Sequence, residues 1–442
     1  MGQAPTHPDA KRILLLAVLD RASYAAVHGE VQQASQLVRR VLAELRPDEV
    51  NTRIRALSIL GLSGFRAGDV READRVFSNI IGMARAAGWG FAVASFLCNL
   101  AEIHIVRGQL RRAIQICEEA IALGAVDGRP THMVAFAHLA LGKILYEQNE
   151  LPAAEDHLSQ GLAFLEHGQI TIGIETGHAV LALTRFAQGN AAGAAAAMDE
   201  AVRVAQANDI PRLSMLMSAY QARLWLAQGR IGPAAQWADD YRRSEPGDYL
   251  REFEDLTLGR VPLAQGEPSQ AAQRLDAIVT AAGASGRTGA LIEALTVRAL
   301  ARQAMGEGGG ARDDLTRALI LAEPAGYARV FVDHGPSMAQ LLRTALAREP
   351  AADYAAALLA RFRPPTESAA PAPQSALVEP LTDREMEVLA CLAEGLPKAE
   401  IGQHLCIALP TVKSHTRNIY GKLTVGSRKA AVARARTLGI LP

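Results

Sequence analysis

Hydrophobic positions alternate with small and turn-forming ones in a pattern that repeats through the first three quarters of the chain. A Gly or Asn is followed five positions later by Ala in eight places: Gly29/Ala34, Gly68/Ala73, Gly108/Ala113, Asn149/Ala154, Gly189/Ala194, Gly229/Ala234, Gly266/Ala271 and Gly306/Ala311. The Gly and Asn positions are separated by 39, 40, 41, 40, 40, 37 and 40 residues. A constant spacing of this length indicates an array of similar structural units.

Each repeat predicts two helices joined by a tight turn. Gly and Asn readily adopt the left-handed conformation that ends one helix and lets the chain reverse. Apolar or aromatic residues occupy fifteen of the sixteen positions three before and nine after the turn residue: Ala26, Phe65, Ile105, Tyr146, Phe186, Leu226 and Leu263, with Gln303 as the exception, and Val38, Phe77, Cys117, Leu158, Met198, Ala238, Leu275 and Leu315. We expect both sets to form the seam shared by the two helices.

The composition agrees with stacked helices. Hydrophobic residues make up 49% of the chain and aromatic residues only 5%, which favours closely packed helices over a sheet sandwich. The predicted fold class is all-α, a solenoid of helical hairpins. The array resembles tetratricopeptide repeats, and its longer period is similar to the tetratricopeptide-like sensor region of MalT-type regulators. The segment from Leu315 to Leu342 resembles the end of that region and is predicted to close the array.

Several residues of the array favour packing over chemistry. Cys117 lies at a predicted core position and is interpreted as an inert buried thiol. Trp225 and Trp237 flank the Gly229 turn, where packing is favoured over a ligand groove. The histidines and cysteines show neither metal-ligand nor disulfide spacing, so no metal or cofactor is expected; they include His104, His132, His138, His157, Cys98, Cys391 and Cys406.

A proline-rich segment separates the array from the end of the chain. Residues 363–380 contain Pro364, Pro365, Pro371, Pro373 and Pro380, and such a segment cannot hold a helix. The predicted domains are a repeat domain over residues 1–345, a terminal helix and linker over 346–380, and a C-terminal domain over 381–442.

The C-terminal segment predicts four short helices. Thr382 and Glu385 form a capping box that opens the first, and Pro397 lies in the first turn of the second. The third begins near Pro410, and Ser427 caps the fourth, over residues 428–437. The apolar positions predicted to face inward are Met386, Val388, Leu389, Leu392, Ile401, Leu405, Val412, Ile419, Leu423, Ala431 and Ala435. Lys413, Ser414, Arg417 and Lys422 are predicted on the other face of the third helix, where polar side chains suit the major groove of DNA.

This segment resembles the DNA-binding domain of the LuxR family. The matching residues are Leu381, Thr382, Arg384, Glu385, Val388, Leu389, Gly395, Ile401, Leu405, Ile407, Thr411, Val412, Lys413, His415, Asn418, Ile419, Tyr420, Lys422, Leu423, Val425, Arg428, Ala431 and Gly439. The resemblance implies that Lys413, Ser414 and Arg417 read bases. It places Lys398, Thr411, Asn418 and Lys422 near phosphates, and it makes the fourth helix a dimer contact on DNA. The family often has Ser or Thr at the positions of Pro397 and Ala408 and Lys at that of Ala399, so the resemblance does not extend to two N-caps and one phosphate contact.

The charge distribution agrees with an anionic partner for the tail alone. Over the whole chain 46 basic residues balance 46 acidic ones. From residue 381 to the end, nine basic residues face five acidic ones, a net charge of +4. The alternative for each basic residue is a solvated surface charge.

The sequence therefore predicts a cytoplasmic, sequence-specific transcription regulator that binds double-stranded DNA as a homodimer. Its repeat domain would sense a small-molecule or protein effector. The apolar run from Ile13 to Leu19 is too short to span a bilayer. No phosphate-binding loop occurs, so either the chain is a fragment of a longer regulator or its regulation does not use ATP. A repeat-based scaffold with a vestigial DNA-binding tail is the alternative, and no pattern typical of an enzyme is present.

Overall fold

The structure, a computed structural model, describes residues 8–27, 30–126, 129–130, 132–168, 173–208, 210–242, 251–346, 352–362, 383–393, 396–405 and 409–422, together with positions 428, 431, 432 and 435. Contacts divide the chain into two compact units, Met1–Phe362 and Arg363–Pro442.

The first unit is built from helices that pair into hairpins across the predicted turns. The pairs are α1 (Pro8–Val27) with α2 (Val31–Glu44), α3 (Val50–Arg66) with α4 (Val70–Ala86), α5 (Gly90–Val106) with α6 (Leu110–Leu123), α7 (His132–Glu147) with α8 (Leu151–His167), α9 (Ile174–Ala187) with α10 (Ala191–Ala207), α11 (Pro211–Ala227) with α12 (Ile231–Arg242), α13 (Glu252–Ala264) with α14 (Pro268–Ser285), and α15 (Thr288–Ala304) with α16 (Gly308–Ala322). Successive hairpins pack side by side. The prediction of an all-α repeat fold is confirmed.

The turn chemistry is also as predicted. Each described turn residue of the pattern has a left-handed backbone, with φ from 66° at Asn149 to 86° at Gly189; Gly29 lies outside the described residues. The Ala five positions later is fully buried in every repeat, and the residues nine positions after the turn are at most 2% exposed. These two positions form the seam of each hairpin.

The residues three positions before the turn contact both the packed core and a cavity. Seven of the eight line a cavity of the array: Phe65, Ile105, Tyr146, Phe186, Leu226, Leu263 and Gln303. Both a helix seam and a cavity wall select apolar residues, so the pattern alone could not separate them. The same set also packs with the hydrophobic cores of the array, where Ala26, Ile105 and Tyr146 are buried and Phe65, Phe186, Leu226 and Leu263 are partly buried.

The end of the array folds back onto its middle. A short 3-10 helix (Glu323–Ala325) is followed by α17 (Arg329–Val332), α18 (Gly335–Ala345) and α19 (Ala352–Leu359). Ala328 N donates to the carbonyl oxygen of Glu147 at 2.7 Å, and the Tyr146 hydroxyl donates to Asp333 at 2.8 Å. The Tyr327 hydroxyl reaches the carbonyl oxygen of Ile105. The predicted cap is therefore a closure that joins the array's end to its third and fourth hairpins.

The terminal helix belongs to the array. Ala355 and Leu358 of α19 are fully buried, and α19 packs on α18. Between α6 and α7 two short strands, Ala125–Val126 and Arg129–Pro130, pair antiparallel with Ala125 opposite Pro130. None of the helices in the part of the chain that the structure describes is long and apolar enough to cross a membrane.

The second unit contains three described helices. They are α20 (Asp383–Ala393), α21 (Lys398–His404) and α22 (Leu409–Lys422), and each contacts the other two. The predicted fourth helix lies mostly outside the described residues, although positions 428, 431, 432 and 435 are helical. Thr382 of the predicted capping box, Gly395 and Ser427 are also outside them.

Candidate functional site

The core of the second unit fixes the direction of its helices. Val388, Leu389 and Leu392 of α20 pack with Ile401 of α21 and with Val412 and Ile419 of α22, and all six are at most 2% exposed. Met386 was predicted inward but is 40% exposed. The buried register of α20 starts at Glu385 instead, three residues before Val388, so Met386 falls just outside the apolar stripe.

The two faces of α22 are separated clearly. Val412, Thr416 and Ile419 are buried, and Thr416 donates to the carbonyl oxygen of Val412 at 2.7 Å. Thr411 and Asn418 are exposed. Because α-helical positions advance by about 100°, positions 413, 414 and 417 lie on the side of the axis opposite to the buried stripe. The side chains of Lys413, Ser414 and Arg417 themselves lie outside the described residues.

Lys422 does not point freely outward as its helix position suggested. Its Nζ lies 2.9 Å from Oε2 of Glu385, and the two side chains are 13% and 5% exposed. This ion pair joins the end of α22 to the start of α20. In contrast, Lys398 is exposed at the first turn of α21. Pro397 is the N-cap of that helix and makes no side-chain capping hydrogen bond, as expected for a residue without a side-chain acceptor.

Arg428 anchors the region of the predicted fourth helix. Its guanidinium donates to the carbonyl oxygen of Leu392 at 2.7 and 2.9 Å and to that of Leu396 at 3.0 Å. These carbonyls lie at or just after the end of α20, where helix carbonyls lack intrahelical partners. Ala431 and Ala435 are fully buried, as predicted.

The first unit contains a second candidate site, a cavity of about 1200 Å³. One part of its wall is aliphatic and aromatic, with Leu183, Phe186, Leu216, Leu226, Leu256 and Leu263. Another part carries charged and polar groups, including Tyr146, Glu147, Arg223, Arg260, Glu293 and His334. Residues of the closing segment, from Tyr327 to Thr344, complete the lining.

Glu293 of α15 lies between two arginines from the preceding hairpins. Arg223 of α11 and Arg260 of α13 each approach its carboxylate at 2.8 Å. Burial alone would raise the pKa of Glu293, but the two guanidiniums lower it to about 2. Arg223 also donates to Thr257, and its guanidinium stacks 3.8 Å from the centre of the Phe253 ring. The network joins three hairpins at the cavity wall.

Two further groups at the polar wall lack hydrogen-bond partners among the described residues. The carboxylate of Glu147 accepts no hydrogen bond and forms no ion pair within the described part of the chain; burial, together with the carboxylates of Glu293 and Asp333, raises its pKa to about 7, against the opposing effect of Arg223 and Arg260. Nε2 of His334 is buried without a partner there, and burial lowers the pKa of this imidazole to about 3.

The raised pKa of Glu147 predicts a specific dependence of stability on pH. Between about pH 4.5 and pH 7 the folded chain binds more protons than the unfolded one, so stability falls as pH rises through this window. Glu147→Gln mimics the protonated form. We expect the variant to be more stable than the parent chain by about 1–3 kcal/mol at pH 8 and equally stable near pH 4. Thermal unfolding at the two pH values measures the difference, and a variant that is less stable at pH 8 would contradict the assignment.

The cysteine and the two tryptophans interpreted as packing residues lie in or against the hydrophobic cores of the array. Cys117 is fully buried, and burial raises the pKa of its thiol. Trp237 is 8% exposed and donates to Ser218 at 2.9 Å, and Trp225 packs in the same cluster. His138 and His157 pair with their Nδ1 atoms 2.9 Å apart. Within the described residues no group of three or more His, Cys, Asp or Glu side chains could hold a metal ion.

Comparisons with known proteins agree with this two-part organisation. Residues 17–348 match the family described as MalT-like TPR region, and residues 379–435 match the bacterial regulatory proteins of the luxR family. The HTH-type transcriptional regulator MalT of Serratia proteamaculans is 26% identical over 444 aligned positions, which cover 95% of this chain and 49% of that protein. For MalT of Vibrio cholerae the identity is 24%, with the same shares of the two chains. The chain spans about half the length of these curated relatives.

A solved structure supports the fold of the first unit. The Rap protein complexed with competence and sporulation factor superimposes with a TM-score of 0.50 at 11% identity, covering 71% of this chain and 98% of that one. At this identity the likeness shows the helical-repeat fold only. Taken with the match over residues 17–348 and the C-terminal match, it leads to one assignment: the chain belongs to the MalT-like TPR family and carries a luxR-family regulatory domain behind its repeats.

Proposed function

We propose that the chain is a sequence-specific DNA-binding transcription regulator whose repeat unit senses an effector and whose tail binds promoter DNA. The observation that carries the proposal is the orientation of α22. Its buried stripe of Val412, Thr416 and Ile419 puts positions 413, 414 and 417 on the opposite side of the helix, the side that we propose enters a DNA groove. The membership in a family of transcription regulators supports the same function.

The proposed roles follow the position of each residue on α21 and α22. Lys413, Ser414 and Arg417 would read base edges in the major groove, where Arg and Lys favour guanine. The exposed side chains of Lys398, Thr411 and Asn418 would contact phosphates, which fix register without reading sequence. A phosphate contact by Lys422 would require it to leave Glu385 or to bind both anions, so we propose that Lys422 acts first as a structural residue.

Replacing Arg417 with Ala is expected to weaken binding to a selected site by about 1–3 kcal/mol, because a bidentate base contact is lost. The site is obtained by selecting bound fragments from the source genome, and affinity is measured by mobility shift. Arg40→Ala, an exposed arginine of α2, is the control and should bind normally. Equal affinity of the Arg417 variant and the control would remove the recognition-helix assignment.

We also propose the partners of the protein and its location. The tail would bind two half-sites as a homodimer through the fourth helix, the cavity of the repeat unit would hold the effector, and the protein would act in the cytoplasm. A repeat-based scaffold with an inactive tail is the competing function. Retention of duplex DNA that weakens steeply with salt supports the regulator, whereas no retention at low salt supports the scaffold.

A further inference from the structure

The polar wall of the cavity presents unused hydrogen-bonding groups of opposite charge. Arg260 uses Nε and Nη2 for Glu293, so Nη1 of this guanidinium has no hydrogen bond among the described residues. The carboxylate of Glu147, in the same electrostatic cluster, accepts none in that part of the chain either. Charged groups at the wall of a cavity lose part of their hydration, so a polar partner from a ligand stabilises them. An occupant that offers both an acceptor and a cationic donor would satisfy them together.

The charges around these groups disfavour simpler ligands. A ligand with only an anionic head would meet Glu147, Glu293 and Asp333, and a ligand whose cationic head carries no acceptor would leave Nη1 of Arg260 without a partner. A ligand covered with hydroxyl groups has no apolar side chains to pack on the aliphatic wall of Leu183, Leu216, Leu226, Leu256 and Leu263. The lining therefore favours a ligand with a cationic donor and a neighbouring acceptor at one end and apolar groups along the rest of its length.

The size of the cavity limits the apolar body. Pockets for drug-sized ligands enclose about 300–1,000 Å³, and this cavity is larger, at about 1200 Å³. A single amino acid would leave most of the aliphatic wall without contacts. An extended chain of several apolar residues would cover it.

We propose that the cavity binds the α-amino acyl end of a short apolar peptide, with its terminal ammonium at Glu147 and the adjacent carbonyl oxygen at Nη1 of Arg260. Ammonium and carbonyl lie on the same residue, so one peptide terminus supplies both groups. The apolar side chains then pack on the aliphatic wall. This inference rests on the proposed sensing function, which leaves the effector unspecified.

The test uses the full chain and two peptide pools. The first pool contains tetrapeptides of Leu, Val and Phe with a free amino terminus, and the second contains the same tetrapeptides N-acetylated. A ligand that binds the folded chain raises its melting temperature. We expect the free pool to bind at least tenfold more tightly than the acetylated pool in calorimetric titration. Equal binding of the two pools, or no binding of the free pool, would overturn the proposal.

Two variants test whether Glu147 binds the ammonium, and two further ligands test the chemical class of the occupant. Glu147→Gln should weaken binding of the free pool at least tenfold and leave the acetylated pool unchanged. Glu150→Gln, an exposed residue of the adjoining turn without a capping hydrogen bond, should change neither. Free leucine binding as tightly as the peptides would assign the amino acyl group to an amino acid and overturn the peptide, and binding of a neutral oligosaccharide alone would overturn both.

Binding of duplex DNA by the same preparation separates this inference from the proposed function. DNA retention without peptide binding refutes the peptide alone. Peptide binding without DNA retention supports the peptide and refutes the regulator.

Discussion

Replacing Glu293 with Ala is expected to lower the free energy of unfolding of the repeat unit by about 3–5 kcal/mol, because two buried guanidiniums lose their shared counterion. The carboxylate is 15% exposed and holds Arg223 and Arg260 from two neighbouring hairpins. Its removal would also weaken the contact between α11, α13 and α15. Thermal and urea unfolding followed by circular dichroism at pH 7 measure the loss.

The control for this variant is another carboxylate of the same cavity. Glu102 pairs with Lys143 at 3.5 Å, and the two side chains are 43% and 36% exposed. Glu102→Ala is therefore expected to cost at most about 1 kcal/mol. Because the folded pKa of Glu293 is depressed to about 2, its contribution is present above about pH 4.5 and is lost as pH falls toward 2. A Glu293 variant no less stable than the Glu102 variant at pH 7 would refute the network.

Replacing Glu385 with Ala is expected to destabilise the C-terminal unit by about 3 kcal/mol, because Lys422 would keep its charge in a mostly buried position. Among the described residues of this unit, nine buried apolar side chains form a small core, so such a loss would open α20 and α22 frequently. Hydrogen–deuterium exchange of the amides in these helices reports the opening directly. Faster exchange in α20 and α22, with unchanged exchange in the repeat unit, is the expected result.

Two lysine variants decide between a structural and a phosphate-binding Lys422. Lys398→Ala removes an exposed charge and should change stability by no more than about 0.5 kcal/mol while reducing the slope of log affinity against log salt by about 0.9. Lys422→Met should increase exchange in α20 instead. A Lys422 variant with the full salt effect and no loss of protection would show that the ion pair with Glu385 contributes little.

Features determined by local chemistry could be predicted from the sequence. A left-handed turn needs a residue that tolerates positive φ, and the Gly or Asn at each described turn has one. The Ala five positions after the turn and the apolar residue nine positions after it are both buried, because residues four apart lie on the same face of a helix. The sequence carries one more signal of close helix packing. Seven positions before each turn stands Gly or Ala, and a Cβ at Gly142 would lie 2.5 Å from Cγ of Leu158.

Features that depend on distant partners could not be predicted. Arg223 and Glu293 are 70 residues apart, and each alone is consistent with a solvated surface charge. The cavity that Phe65 and Phe186 line is formed by residues from several hairpins and from the closing segment, which are far apart in the sequence. In the tail, the helical period placed Val412 and Ile419 correctly. It could not show that Lys422 meets Glu385, 37 residues earlier.

The hydrogen bonds from Ala328 and Tyr327 back to Glu147 and Ile105 change how the repeat unit should come apart. In an open solenoid each repeat touches only its neighbours, so terminal repeats fray and partial unfolding spreads inward. Here the hairpins from α5 to α16 are tied into a loop with no free end of their own. They should lose hydrogen-exchange protection in a single concerted event, while α1 and α2 fray independently.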